Sequence, residues 1–207
     1  MTEQDHERAE ARGGSPLPGP AGRLALAFEA FRAFHREAWT RYARTQVGDA
    51  AAAEQVVETV ARQLALDWAH ALRRESVAEY AWAILKEHIA QWLRDHGRSP
   101  ELAVTDPSGT AIHELLEISR ERFAGLEGED GLYAALGRLP ERQYDVLVLR
   151  YVLGYPEDRV AAYLGIAASA VRSHIRRAER RLTGEAEESR LPPVPYGDAP
   201  PPAAPNG

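Results

Sequence analysis

The stretch LPERQYDVLVLRYVLGYPEDRVAAYLGIAASAVRSHIRRAERRL, residues 139–182, carries the strongest structural signal in the chain. Pro156 is well placed as the first residue of a helix, and Glu157 and Asp158 follow in its first turn, near the positive end of the helix dipole. Gly165 permits a sharp turn, because glycine adopts a positive φ at little cost. A second helix is predicted to start near residues 168–169. Two short helices around a tight turn are typical of a helix-turn-helix.

The packing of these two helices is predicted by their apolar residues. Ala161 is small enough for a close crossing, Ile166 fills the corner, and Val171 is the apolar contact from the second helix. Helical spacing predicts that the second helix buries Val171, Ile175, Ala178 and Leu182. The opposite side, which we call the arginine face, carries Ser169, Arg172, Ser173, Arg176, Arg177 and Arg180.

The arginine face is rich in groups that bind nucleic acid. Arginine can hold a guanine edge through two parallel hydrogen bonds, and serine can bond a base or a phosphate. The N-terminus of the helix also favours a phosphate. The alternative is a solvated, charged face at the end of a helix bundle. The combination of the turn residues with five arginines and one acid in residues 169–182 favours the DNA-binding interpretation.

Charge is unevenly distributed along the 207 residues. The net charge is −6, but residues 136–182 carry +4, residues 24–98 are neutral and residues 99–135 carry −6. A DNA-binding surface needs local positive potential, so an acidic total does not exclude one.

The rest of the chain is predicted to be helical between two tails. Phe28, Phe31, Trp39 and Tyr42 follow helical spacing, Gly48 is a predicted helix stop, and Asp49 a predicted N-cap. Ser76 with Glu79 forms a capping-box pattern that opens a further helix to about Asp95. We therefore predict an all-α fold of two small helical domains, residues 24–98 and 131–184, the second a helix-turn-helix. An acidic linker, 99–130, with a short helix near 112–123, joins them. Residues 1–23 and the proline-rich residues 185–207 are predicted disordered tails.

Residues 139–182 resemble the C-terminal promoter-reading domain of bacterial sigma factors, in particular the extracytoplasmic-function class. The resemblance implies that Arg172, Ser173, Arg176 and Arg177 lie in the groove of the −35 promoter element. Arg142 and Arg159 would then be phosphate anchors. Response-regulator effector domains share much of this pattern, but LVLRYVLGY favours sigma factors.

Two stretches of the N-terminal domain are also similar to this family. FEAFRAFHREAWTRYARTQVGDAAAAEQVV, residues 28–57, is similar to the first helices of its polymerase-binding domain. YAWAILKEHIAQWLRDHGR, residues 80–98, is similar to the helix that reads the melted −10 element. The resemblance implies polymerase contacts by Glu54, Gln55 and Glu58. It implies contacts with unpaired bases by Tyr80, Trp82, Lys86 and Arg94, although aromatic residues at helical spacing are commonly core residues.

Some positions depart from the family pattern. Glu87 and Gln91 stand where the family usually has Asn and Asp, and Gln55 where it often has an acid. Only Arg94 and Arg98, with Asp95 between them, represent the usual basic run. These departures favour a second hypothesis, a sigma-like or response-regulator-like regulator that binds DNA or polymerase without melting a promoter.

Other function classes lack their motifs. The chain has no cysteine, and neither a zinc-protease motif, a phosphate-binding glycine loop nor a GxSxG motif is present. We therefore expect no enzyme, no cofactor and no metal. The sequence shows no apolar run that predicts a signal peptide or a membrane span, so the expected location is the cytoplasm. The expected partners are RNA polymerase core and double-stranded promoter DNA, without a membrane or a small-molecule substrate. The resemblance leaves open whether an anti-sigma factor also binds.

Overall fold

The computed structural model describes residues 19–98 and 135–190, and the side chains of 183–190 lie outside this description. All regular structure within these ranges is helical, which confirms the predicted all-α fold. The helices are α1 (Pro20–Val47), α2 (Ala50–Leu66), α3 (Trp68–Ala71), α4 (Val77–Asp95), α5 (Glu141–Leu147), α6 (Glu157–Leu164) and α7 (Ala168–Arg190). The predicted linker and the helix near 112–123 lie outside the described residues, as does most of both predicted tails.

The first helix starts earlier than its apolar pattern predicts. It begins at Pro20, so the assignment of residues 20–23 to a disordered tail is wrong. Proline suits the first position of a helix, where its missing N–H group has no partner to lose. At the other end Gly48 adopts φ 78°, and its N–H donates to the Arg44 carbonyl at 2.9 Å. Gly48 therefore ends the helix as predicted.

Two side-chain caps position α2 and α4. Asp49 Oδ1 accepts from the Ala52 N–H at 2.7 Å, and Ser76 Oγ accepts from the Glu79 N–H at 3.1 Å. Both N-caps were predicted. The return bond of the capping box is replaced, because the Glu79 carboxylate accepts from Arg142 at 2.8 Å. The start of α4 is thereby tied to the C-terminal part of the chain.

The N-terminal half, residues 19–98, packs α1, α2 and α4 around a shared core. Its largest fully buried side chains are Trp39, Tyr42, Leu64, Trp82, Leu85 and Leu93. This burial agrees with the interpretation of Trp39 and Trp82 as core residues. Trp92 is half-buried and stacks on the His96 ring at 3.9 Å.

The C-terminal half, residues 135–182, packs α5, α6 and α7 around a second cluster. A single turn of π-helix, Val148–Val152, extends α5, and the Leu153 N–H donates to the Val148 carbonyl at 2.9 Å. The two halves lie directly against each other, with α6 against α4, and their apolar clusters are continuous. The described residues thus form one body rather than two separate ones.

His35 lies in the contact between the halves and should make the stability of the protein depend on pH. Its ring contacts Phe31, Trp39 and, from the other half, Tyr163, with ring centroids 4.2, 5.3 and 5.8 Å away. Burial lowers the pKa of His35 from 6.5 to about 4. Below pH 6.5 the unfolded chain therefore takes up a proton that the folded chain rejects, and stability falls as the pH falls towards 4. We expect a loss of ~2 kcal/mol at pH 5.

Urea unfolding at pH 7.5 and pH 5 measures this effect. The matched variant is His35→Gln, because glutamine is polar and does not titrate. The variant should lose less stability than the wild-type protein between the two pH values. An equal loss in both proteins would show that His35 is not the source.

Candidate nucleic-acid interface

The turn between α6 and α7 has the predicted geometry. Gly165 adopts φ 67°, and the N–H of Ile166 donates to the Ala161 carbonyl at 3.1 Å. Helix α7 begins at Ala168, as predicted. Pro156 was predicted as the first residue of α6, but it is the N-cap, one residue before the helix. Its extended ψ of 156° explains the difference, because a helical residue needs ψ near −42°.

Helix α7 separates an apolar side from the arginine face. Val171, Ala178 and Leu182 are fully buried, and Ile175 is 8% exposed. On the other side Ser173 is half-buried, and the remaining members of the arginine face are exposed: Ser169, Arg172, Arg176, Arg177 and Arg180. The structure therefore brings these six predicted DNA-contact residues together on one accessible surface.

Two contacts position side chains on the arginine face. Arg172 donates to Glu157 at 3.3 Å, and both side chains are well exposed, so a phosphate could displace this weak pair. The Ser173 hydroxyl donates to the Ser169 carbonyl at 2.9 Å, which leaves its oxygen free to accept only. Arg172 and Ser173 therefore each have a contact within the protein before any ligand binds.

His174 is a neighbour of this face that the sequence analysis did not select. Its pKa is lowered, first by burial and then by the charges of Arg142 and Arg177. The ring is therefore neutral near pH 7 and can donate or accept a hydrogen bond beside the arginines. One of these charges, Arg142, belongs to α5, so no local pattern indicated the environment of His174.

The two predicted phosphate anchors lie beside the N-terminal half. Arg142 forms an ion pair with Glu79 at 2.8 Å, and 29% of its side chain is exposed. Arg159 is exposed, and its guanidinium lies 5.4 Å from the centre of the Phe34 ring. Neither lies on the arginine face, and Arg142 already has an anionic partner. Their contact with phosphate stays a prediction.

The four predicted contacts with unpaired bases fall into two pairs. Tyr80 is half-buried beside Arg74, 5.6 Å from its guanidinium, and Arg94 is exposed and bonded to Gln91 at 2.7 Å. Trp82 is only 2% exposed and Lys86 is half-buried. A base could reach Tyr80 and Arg94, but the Trp82 ring is inaccessible in this arrangement.

The predicted polymerase contacts lie along α2. Glu54 and Gln55 are exposed, whereas Glu58 is held by Arg32 at 3.0 Å and Arg36 at 3.4 Å. Together they line a shallow surface groove. All three lie on one helix, and two arginines hold the carboxylate of Glu58.

Asp145 is the main polar residue that the sequence analysis missed. It is 2% exposed and accepts hydrogen bonds from Trp82 Nε1 at 2.9 Å, from Lys86 Nζ at 2.8 Å and from the Tyr42 hydroxyl. Burial, followed by the charge of Asp145, raises the pKa of Tyr42 well above 10.0, so this hydroxyl remains a donor. All three donors belong to the N-terminal half.

The described residues also limit other kinds of site. Within 19–98 and 135–182, no three acidic or histidine side chains are grouped so that they could hold a metal. None of the helices described combines the length and apolar character needed to cross a bilayer.

The fold and the arginine face together define a helix-turn-helix protein. Residues 129–182 match the family model "Sigma-70, region 4". The chain is also 30% identical over 111 residues to "Probable RNA polymerase sigma factor RfaY" of Xanthomonas campestris pv. campestris. That match covers 49% of this chain and 26% of the relative, so the chain spans about a quarter of that protein's length. No solved structure matches. Residues 139–182, which were predicted to resemble the promoter-reading domain of sigma factors, lie within the stretch that matches this family model.

Proposed function

We propose that this protein is a bacterial transcription initiation factor, a sigma factor of the extracytoplasmic-function kind that acts in the cytoplasm. The observation that carries the proposal is that the residues matched by the region 4 model hold four arginine side chains and Ser169 outward on one exposed helix face. The N-terminal half would bind RNA polymerase core, and α7 would enter the major groove of the upstream promoter element. The protein supplies binding energy and position, and no bond chemistry of its own.

Phosphate contacts should make promoter binding strongly dependent on salt. With four to six contacts from the arginine face and its neighbours, log affinity should fall against log salt with a slope of about −4 to −5. Fluorescence anisotropy of a labelled duplex between 50 and 200 mM salt, roughly the range over which such contacts are usually resolved, measures the slope. A slope near zero would contradict binding through this face.

The polymerase contact is tested by capture of purified RNA polymerase core on immobilised protein. Glu54→Lys should reduce capture at least about tenfold, because it reverses a charge on the exposed face of α2. Glu75→Lys is the matched control, since Glu75 is equally exposed but lies outside this face. Equal capture by both variants would remove α2 as the docking helix. Failure of the wild-type protein to capture polymerase or to direct specific transcripts would overturn the proposal itself.

A second candidate, a sigma-like regulator that does not melt DNA, is favoured by one observation. Trp82 and Lys86, which would hold the melted strand, are engaged by Asp145. Permanganate probing of unpaired thymines in the complex with polymerase distinguishes the two candidates. Polymerase binding with reactive thymines supports the initiation factor, and polymerase binding without them supports the regulator.

A further inference from the structure

We propose that Glu157 determines the sequence specificity of the arginine face, because it positions Arg172 for the edge of a base and disfavours contact of Arg172 with a phosphate. The inference deepens the proposed function and rests on it, since it requires that α7 enters a groove of DNA. Glu157 lies on α6, outside the arginine face. It therefore acts through Arg172, as a positioning residue, and needs no contact of its own with DNA.

The contact between these two side chains joins the two helices of the helix-turn-helix. Arg172 Nη1 donates to Glu157 Oε2 at 3.3 Å. Glu157 is the first residue of α6 and directly follows the N-cap Pro156. Arg172 lies in the second turn of α7, which begins at Ala168. The pair therefore connects the start of one helix with the DNA-facing side of the other.

Both side chains extend from backbone that the core holds in place. Val160, on the same helix as Glu157, and Val171, next to Arg172, are fully buried. Because the two backbones keep a fixed separation, the carboxylate restricts the guanidinium to few orientations. An arginine that is already restricted loses less conformational entropy when it meets a ligand. Glu157 therefore prepares Arg172 for one direction of contact.

The other donors of Arg172 suit the edge of a guanine. A guanidinium carries its N–H donors in a planar fork, and the bond to Glu157 uses Nη1. Nε and Nη2 form a different edge of this fork. Two parallel bonds from one arginine to O6 and N7 of guanine are the commonest specific contact in the major groove. Arg172 can therefore keep its bond to Glu157 while it reads a base.

The charge of Glu157 favours a base over a phosphate at Arg172. The acceptors of a guanine edge are neutral, whereas a phosphate is an anion. A phosphate at Arg172 either displaces the carboxylate, which loses the ion pair, or lies close to it, which brings two negative charges together. Among the residues that the structure describes, neither Arg176 nor Arg177 has an acidic partner. The restriction therefore applies to Arg172 and not to these two neighbours.

The test compares Glu157→Gln with the wild-type protein on two labelled duplexes, one selected from a random pool and one with the same bases in scrambled order. Glutamine keeps the size of the side chain and removes its charge. The ratio of the affinities for the selected and the scrambled duplex should fall at least about fivefold, the low end of the discrimination by one bidentate contact. On the scrambled duplex, the slope of log affinity against log salt should steepen by about 0.9, the value for one added phosphate contact.

Asp158→Asn is the matched control, since it removes the same charge from the next position in the first turn of α6, which is exposed. Loss of a negative charge near DNA should tighten binding of both duplexes alike, so the ratio of affinities should not change. If Glu157→Gln leaves this ratio unchanged, Glu157 does not restrict Arg172 and the proposal is wrong. If both variants lower the ratio equally, the effect is one of general charge and the proposal is also wrong.

Arg172→Ala separates positioning from any other role of Glu157. In the Arg172→Ala background, Glu157→Gln should no longer change the ratio of affinities, because the two residues act as one unit. A ratio that still falls fivefold would show that Glu157 acts without Arg172 and would overturn the proposal. A wild-type protein that prefers no duplex over another would overturn the reading role of α7 in the proposed function, and this inference with it. An unchanged ratio in Glu157→Gln overturns this inference alone.

Discussion

Replacing Arg172 and Arg176 together by alanine should weaken duplex binding at least about thirtyfold. Each arginine that grips a guanine edge with two bonds contributes about 1–3 kcal/mol of discrimination, and a factor of ten corresponds to 1.4 kcal/mol. Both side chains are exposed on the same face of α7, one helical turn apart, so one groove can receive both. Anisotropy with a duplex selected from a random pool measures the change.

The control is Arg62→Ala with Arg73→Ala, which removes the same charge from exposed positions in the N-terminal half. It should change duplex binding by less than about threefold at moderate salt, where exposed charges are largely screened at distance. The slope of log affinity against log salt concentration distinguishes two roles for the α7 arginines. A slope that falls by about two indicates phosphate contacts, whereas an unchanged slope with relaxed sequence preference indicates base contacts. Undiminished binding by the Arg172 and Arg176 variant would contradict the assignment of α7 as the reading helix.

The helix-turn-helix could be predicted closely because its signals are local. Gly165 at the turn, Ala161 before it and Val171 after it lie within ten residues, and each has one conformational role. The buried and exposed sides of α7 follow from helical spacing alone. Hence the six residues of the arginine face were correctly grouped from sequence.

The contact between the halves could not be predicted in the same way. Asp145 lies 103 positions from Tyr42 and 63 from Trp82, so no window of sequence contains the cluster. In sequence Asp145 is a single acid beside an apolar run, which is equally compatible with a solvated position. Trp82 and Lys86 were assigned to an open surface from the family resemblance, whereas both bond Asp145 from the other half.

The N-cap of α4 combines a local sequence signal with a tertiary contact. Ser76 and Glu79 form a capping-box pattern, and the predicted bond from the Glu79 N–H to Ser76 is present. Both side chains also form contacts that the local pattern does not predict. Glu79 binds Arg142, and the Ser76 hydroxyl donates to Gly165. The sequence therefore predicted where the helix begins, but not the tertiary partners of these two side chains.

Replacing Gly165 by alanine should destabilise the protein by about 3 kcal/mol. Alanine at φ 67° costs roughly 1 kcal/mol in the backbone. A Cβ at this position would also lie 2.5 Å from the Glu79 nitrogen and would collide with Ser76 Oγ, so α4 and the turn must move apart. Such overpacking costs about 1–3 kcal/mol. The midpoint of urea unfolding, followed by circular dichroism, measures the loss.

Gly154→Ala isolates the first contribution, the backbone strain. Gly154 has nearly the same φ, 73°, but no atom lies within 4 Å of the Cβ that would be added. It should cost only the backbone strain, about 1 kcal/mol. The difference in free energy of unfolding between the two variants therefore measures the cost of the collision between the turn and α4. A Gly165→Ala variant as stable as Gly154→Ala would show that the halves do not meet there in solution.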